Sequence, residues 1–231
     1  MKKTIIMTML SLLTVMPIQA QSYRHSKYYN QRSGRLDYSH RNHRGYYWND
    51  DAFFGFRLGP AFTTVNSDDK YLDGSDVKAG LNVGMAAGFS VMPRGPLYLE
   101  TGLYYTEKGG KGNVAGDKFT YNLNYLEMPL VMKYYIDIDR YCSIQPFLGG
   151  YVACGIGGKI KDFGERAAYN SFSDSPYSFR RMDAGLRTGC GLQIDMFYAE
   201  LSYDLGLANI CKDDFDTSKN GALMLSLGVN F

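Results

Sequence analysis

The sequence predicts an all-β fold, an eight-stranded antiparallel up-and-down transmembrane β-barrel, on three observations. From residue 52 onward apolar and polar residues alternate with period two in eight successive segments, which is the pattern of strands with two differently solvated faces. The 231 residues include 20 Tyr, 13 Phe and 26 Gly, and rings favour a pleated surface while Gly relieves close approach of neighbouring backbones. Each segment is about as long as a tilted membrane strand, roughly 9 to 11 residues.

The first 20 residues read as a secretory signal peptide. Lys2 and Lys3 precede an apolar run from Ile5 to Met16, and Ala20 closes a cleavage site before Gln21. That run is shorter than the roughly 20 residues a spanning helix needs. Two of the 25 Lys and Arg fall in the first 20 residues, so the rest of the chain balances its 23 Asp and Glu and is not expected to bind nucleic acid. Residues 21–51 read as a flexible periplasmic N-terminal arm, because they hold six basic residues, all three His and the only Trp but few aliphatic side chains to offset the entropy of ordering. The spacing of His25, His40 and His43 fits no compact ligand set, so no metal or cofactor is expected.

Residues 52–231 carry the barrel pattern. In the first segment Phe54, Phe56, Leu58 and Phe62 oppose Gly55, Arg57, Gly59 and Ala61. In the second, Leu81, Val83, Met85 and Phe89 oppose Asn82, Gly84, Ala86 and Gly88. The third sets Leu97, Leu99, Leu103 and Tyr105 against Tyr98, Glu100, Gly102 and Tyr104, and the fourth Leu126, Met128, Leu130 and Met132 against Tyr125, Glu127 and Lys133. In the fifth Ile144, Leu148, Val152 and Ile156 oppose Gln145, Phe147 and Tyr151, and in the sixth Leu186, Cys190, Leu192 and Ile194 oppose Asp183, Arg187, Gln193 and Asp195. The seventh has Phe197, Leu201, Tyr203 and Leu205 against Glu200, Ser202 and Asp204. The eighth has Leu223, Leu225, Leu227, Val229 and Phe231 against Met224, Ser226 and Gly228. Pro129 cannot donate to a ladder, so a bulge is expected there.

Connections alternate in length. Short ones fall near 93–96, 137–140 and 195–197, and long ones at 66–78, 109–118, 157–179 and 211–221. All long connections therefore lie at one end, with both termini at the other, as in barrels with periplasmic turns and extracellular loops. Which face points outward follows from cost. An inward aliphatic face would expose Gly84, Ala86 and Gly88, which pack nothing; an outward one leaves those small residues to make room for Arg57, Glu100 and Arg187 inside a barrel whose eight strands leave space only for side chains. Closure then satisfies every backbone group in lipid.

With that assignment the lumen holds Arg57, Lys133, Arg181 and Arg187 against Glu100, Glu127, Asp183, Asp195, Glu200 and Asp204. Confined charges must be compensated, so these are expected to pair as a structural plug. A proton or ion path through Glu127 and Lys133, which share a strand face, is the competing reading. No His follows His43, so a Ser-His-acid site cannot be assembled in the barrel wall and no catalytic residue is expected.

Several stretches resemble the outer-membrane β-barrel domain of Bacteroidetes termed PorT-like, itself similar to the small OmpA and OmpX barrels. They are Leu123-Asn124-Tyr125-Leu126-Glu127-Met128-Pro129-Leu130, Glu100-Thr101-Gly102-Leu103-Tyr104-Tyr105 with Lys108-Gly109, Gly185-Leu186 with Gly189-Cys190-Gly191-Leu192, and Leu201 to Leu207. The resemblance covers about residues 52–231 and implies a bacterial outer-membrane location. Phe231, ending an alternating strand, looks like the signal read by the outer-membrane assembly machinery. Such barrels serve as surface structures, adhesins, small channels and secretion components, so the fold alone does not choose an activity.

Cys142, Cys154 and Cys190 share the lipid-facing parity. If Ile156 and Arg180 pair at the loop end, Cys190 lies opposite residue 146 and opposite neither other cysteine, which favours free, apolar-facing thiols at these three positions and leaves the pairing of Cys211 open. The 157–179 connection, rich in Gly, Ser, Tyr and Asn, suits adaptable surface contacts, with Tyr169, Phe172 and Tyr177 as candidates for an extracellular protein or glycan. The expectation is a non-enzymatic surface structural or binding protein with a filled lumen, whose partners are outer-membrane lipid and the assembly machinery. A low-conductance pore and a secretion-system component are the alternatives.

Overall fold

Pairing turns the alternation into a wall and its filling. The computed structural model describes residues 52–68, 73–92, 95–114, 117–139, 141–162, 169–172, 178–211 and 217–231; the expected signal peptide, the arm and Tyr177 lie outside them. The strands are β1 (Ala52–Ser67), β2 (Gly74–Ser90), β3 (Leu97–Val114), β4 (Asp117–Tyr134), β5 (Ile136–Asp137), β6 (Cys142–Gly157), β7 (Lys159–Asp162), β8 (Tyr169–Asn170), β9 (Met182–Ile194), β10 (Phe197–Gly206) and β11 (Ser218–Asn230). Eight of them form a closed antiparallel ring in the order β1-β2-β3-β4-β6-β9-β10-β11, with β11 returning to β1. Closure leaves no edge, so ladder donors and acceptors are met without water.

Phe54 and Phe231 exchange backbone hydrogen bonds of 3.1 and 2.7 Å, placing the start and end of the barrel beside the short turns. Asp195 and Met196 form one of these turns, between the paired residues Ile194 and Phe197, and Asp195 sits there at φ 54°. This left-handed conformation is one that Asp tolerates. Asp195 is therefore exposed in a turn and does not line the lumen, contrary to the alternation reading.

At the other end the strands run further than the sequence suggests. The stretch 109–118 pairs almost throughout, down to Val114 opposite Asp117, although its Gly, Lys and Asn residues read as a loop. Gly109 shows why glycine is needed: at φ 133°, with any Cβ driven into the Tyr121 carbonyl, it lets β3 and β4 stay paired where a larger residue would part them. The long connection between β6 and β9 includes β7, which continues the wall beside β4 through Tyr121 opposite Ile160, and β8, which pairs with β7.

The aliphatic face points outward: Phe56, Leu148 and Leu227 are 56%, 62% and 63% exposed, whereas Arg57, Glu127 and Lys133 are 2%, 0% and 0% exposed. On β4 and β5 the outward run from Leu126 to Ile136 makes an apolar band of roughly 25 Å along the axis at the usual tilt. Aromatic residues lie on this outer face as well: Phe56 and Phe197 flank Val229 towards the short turns, and Phe62 and Tyr203 flank Leu223 towards the loops. Inside, small residues make room for large ones. A Cβ on Gly84 would lie 2.6 Å from the Tyr104 ring, and one on Gly191 would strike the Tyr198 hydroxyl.

The expected bulge at Pro129 does not form. Thr101 pairs with Leu130 and Tyr104 with Glu127 in one unshifted register, and the ladder merely skips the two pairs between. The missing donor is accommodated locally, and the Thr101 hydroxyl donates to the Pro129 carbonyl at 2.8 Å. Cys190 lies opposite Pro146, Cys142 opposite Ile194 and Cys154 opposite Met182, so the register keeps these cysteines apart and all four, Cys211 included, are free.

Candidate functional site

The lumen is filled by two stacked layers of charge. Nearer the short turns, Arg57 on β1, Glu100 on β3, Lys133 on β4 and Glu200 on β10 all point inward by strand parity. Lys133 Nζ lies 2.9 Å from Glu100 and 3.2 Å from Glu200, and donates to the Tyr198 hydroxyl at 2.5 Å; that hydroxyl donates to Glu200 at 2.8 Å. Arg57 stacks 3.9 Å from the Tyr198 ring centroid and lies 3.7 Å from Glu100. Two cations meet two carboxylates, with aromatic faces supplying the rest of the solvation lost on burial.

Nearer the loops, Lys108 on β3, Glu127 on β4, Asp183 and Arg187 on β9 and Asp204 on β10 form the second layer. Arg187 grips Asp204 through two hydrogen bonds of 2.6 and 2.8 Å and also donates to Glu127. This fork geometry suits a planar guanidinium. Lys108 Nζ sits 2.7 Å from Glu127, 3.2 Å from Asp204 and 3.6 Å from Asp183, and 4.0 Å from the Tyr151 ring centroid. Asp183 also accepts from Asn220 at 2.9 Å and Tyr151 at 3.3 Å.

Lys108 is the residue the sequence reading passed over. Its signal is present, because Glu100, Gly102, Tyr104, Thr106 and Lys108 keep one parity along β3, but the Gly and Lys residues that follow Lys108 read as the start of a loop. Glu127 and Lys133 share a face yet belong to different layers. They are six residues apart, about 20 Å along an extended strand, so neither compensates the other.

Arg181 is exposed just before β9 and donates to the carbonyls of Gly155 at 3.0 Å and Phe172 at 3.4 Å, so it pins the loop and does not join the lumen charges. Phe172, expected as an exposed contact, is buried: its ring meets Tyr125 edge-on at 5.7 Å, within an apolar cluster of Val65, Tyr121, Leu123, Ile160, Phe179 and Ile210 that roofs the charge layers. The barrel mouth offers it more apolar surface than solvent does. For Tyr169 only the backbone is described, paired opposite Ile160. Phe231 is 65% exposed and meets Phe56 edge-on at 6.5 Å, on the outer wall. Among the described residues no group of three or more His, Cys, Asp or Glu is arranged to hold a metal ion.

No curated protein sequence matches this one. Solved structures with a related backbone include the attachment invasion locus protein Ail of Yersinia pestis, in complex with the heparin analogue sucrose octasulfate (17% identity, TM-score 0.41, 79% of this chain and 100% of that one). Others are Neisserial surface protein A (15%, 0.45, 79% and 100%) and OprG from Pseudomonas aeruginosa (15%, 0.45, 82% and 97%). The outer membrane protein beta-barrel domain matches residues 19–212, most of the chain. Sequence match, closed ring and outward apolar band agree, and the chain belongs to the outer membrane protein beta-barrel domain family.

Proposed function

We propose that this protein is a non-enzymatic surface protein of the bacterial outer membrane, a sealed barrel serving as a structural or binding platform and not as a channel. The observation that carries this reading is the occupied lumen: two layers of buried, mutually paired charge lie under an aromatic roof. Moving an ion through would require breaking pairs whose separation costs several kcal/mol each. The residue pieces at 123–130, 100–109 and 185–192 support placing the chain in the PorT-like branch of the family. The long connections at the far end are the surface offered to an extracellular protein or glycan, with Tyr169 and Tyr177 as contacts; Phe172 contributes packing instead.

Planar-bilayer recording of the full-length protein tests the sealed barrel. Silence is expected for both wild type and Glu127→Gln. A stable single-channel step in the wild type that Glu127→Gln abolishes would establish a pore through the upper layer.

A further inference from the structure

One stretch of the wall is fastened by side chains in place of a backbone ladder. β2 and β3 pair without a break from Ser90 opposite Tyr98 to Asn82 opposite Thr106, and pairing resumes only at Asp76 opposite Lys111, in a shifted register. The stretch between, residues 77–81 against 107–110, is the longest interruption in the ring among the described pairs.

Backbone groups left over in a barrel wall need partners, and three side chains supply them. The Glu107 carboxylate accepts from the Leu81 amide at 3.2 Å, the Lys78 ammonium donates to the Lys108 carbonyl at 3.2 Å, and the Thr63 hydroxyl reaches past β2 to donate to the Gly109 carbonyl at 2.8 Å. Thr63 and Lys78 are buried and close the seam from the lumen side, whereas Glu107 has the outward parity of Tyr105 and closes it from the other. The strands remain in contact, since a Cβ on Gly80 would lie 2.3 Å from the Glu107 carbonyl oxygen. The seam starts where outward residues pass from Tyr105 and Leu126 to Glu107 and Asn124, at the upper edge of the apolar band. Water there can replace its hydrogen bonds, as it cannot deeper in the wall.

Side-chain bonds of this kind release more readily than a ladder, because each is single and the freed side chain regains rotamer freedom. Lys108 stands directly behind them: Lys78 holds its carbonyl, while its own ammonium spans the three carboxylates of the upper layer. We propose that Thr63, Lys78 and Glu107 form a latch at which the wall parts locally between β2 and β3, freeing the backbone of Lys108 and so linking the outer face at the loop end to the upper charge layer.

The test is hydrogen exchange of the full-length protein in lipid nanodiscs, read at single amides by mass spectrometry with electron-transfer fragmentation. The amides of Leu81 and Lys108 are expected to exchange about tenfold faster than those of Ala222 and Leu223, which lie towards the loops in ladders continuous on both sides. Lys78→Met removes a donor and Glu107→Ala an acceptor, and each should quicken exchange at Leu81 and Lys108 about fivefold, the equivalent of a net hydrogen bond of about 1 kcal/mol. Lys78→Arg and Glu107→Gln keep a donor and an acceptor and should behave as wild type. Unchanged heat-dependent gel mobility shows that each variant is folded. Wild-type exchange at Leu81 and Lys108 as slow as at Ala222 and Leu223 would overturn the latch. So would a faster rate in Lys78→Met and Glu107→Ala that spreads equally to β11, which marks a general loosening of the barrel.

Discussion

The two charged layers of the lumen are built from the same residue types yet differ in balance. The layer near the short turns sets Arg57 and Lys133 against Glu100 and Glu200, and Tyr198 bridges between charges. The layer near the loops sets Lys108 and Arg187 against Glu127, Asp183 and Asp204, one carboxylate more than its cations, and Asp183 is held largely by the neutral donors of Asn220 and Tyr151. The lower layer is a closed set of partners. The upper one depends on a single lysine that reaches all three of its carboxylates.

Removing that lysine should therefore have the largest effect. Lys108→Met leaves three buried carboxylates facing Arg187 alone, and the expected loss is at the upper end of the roughly 3–5 kcal/mol seen when one partner of a buried pair is deleted. Lys133→Met leaves Glu100 and Glu200 with Arg57 and should fall at the lower end. Reversible urea unfolding in lipid vesicles, followed by circular dichroism or heat-dependent gel mobility, measures both; equal losses would break the distinction between the layers.

Neutralising one carboxylate in each layer sharpens it with smaller effects. Glu100→Gln unbalances the lower layer and leaves Lys133 short of a partner, at an expected cost of about 2 kcal/mol. Asp183→Asn brings the upper layer to equal numbers of cations and carboxylates while keeping an acceptor for Asn220, so its stability should stay within about 1 kcal/mol of wild type or rise. A loss on Asp183→Asn as large as that on Glu100→Gln would show that the third carboxylate is compensated as fully as the others.

Much of this was legible beforehand, for a definite reason. A period of two assigns each residue to a face once a strand is recognised, so Arg57, Glu100, Glu127, Lys133, Asp183, Arg187, Glu200 and Asp204 could all be placed inward. One assumed pair, Ile156 with Arg180, was enough to set Cys190 opposite Pro146. Strand ends were not legible, because turn-forming residues such as Gly109 also serve paired strands that pass close together. That hid Lys108 inside an apparent loop approach and left Asp195 counted among the lumen charges. Which cation meets which carboxylate was beyond reach as well: Arg187 and Glu127 are 60 residues apart, and only the ring closure brings β9 and β4 to either side of the lumen.

The smallest contrast isolates the neutral donors. Tyr151 and Tyr198 each lie beneath a cation, with Lys108 4.0 Å from one ring centroid and Arg57 3.9 Å from the other, so replacement by Phe keeps both cation–ring contacts and removes only the hydroxyl. The Tyr198 hydroxyl receives a hydrogen bond from Lys133 and gives one to Glu200, both with a charged partner, and Tyr198→Phe should cost about 1.5–3 kcal/mol. The Tyr151 hydroxyl reaches Asp183 only at 3.3 Å, and Asn220 remains as a donor at 2.9 Å, so Tyr151→Phe should cost about 0.5 kcal/mol. The same urea titration reads both. If Tyr151→Phe proves as costly as Tyr198→Phe, Asp183 depends on that hydroxyl more than its length implies, and the upper layer is as tightly partnered as the lower.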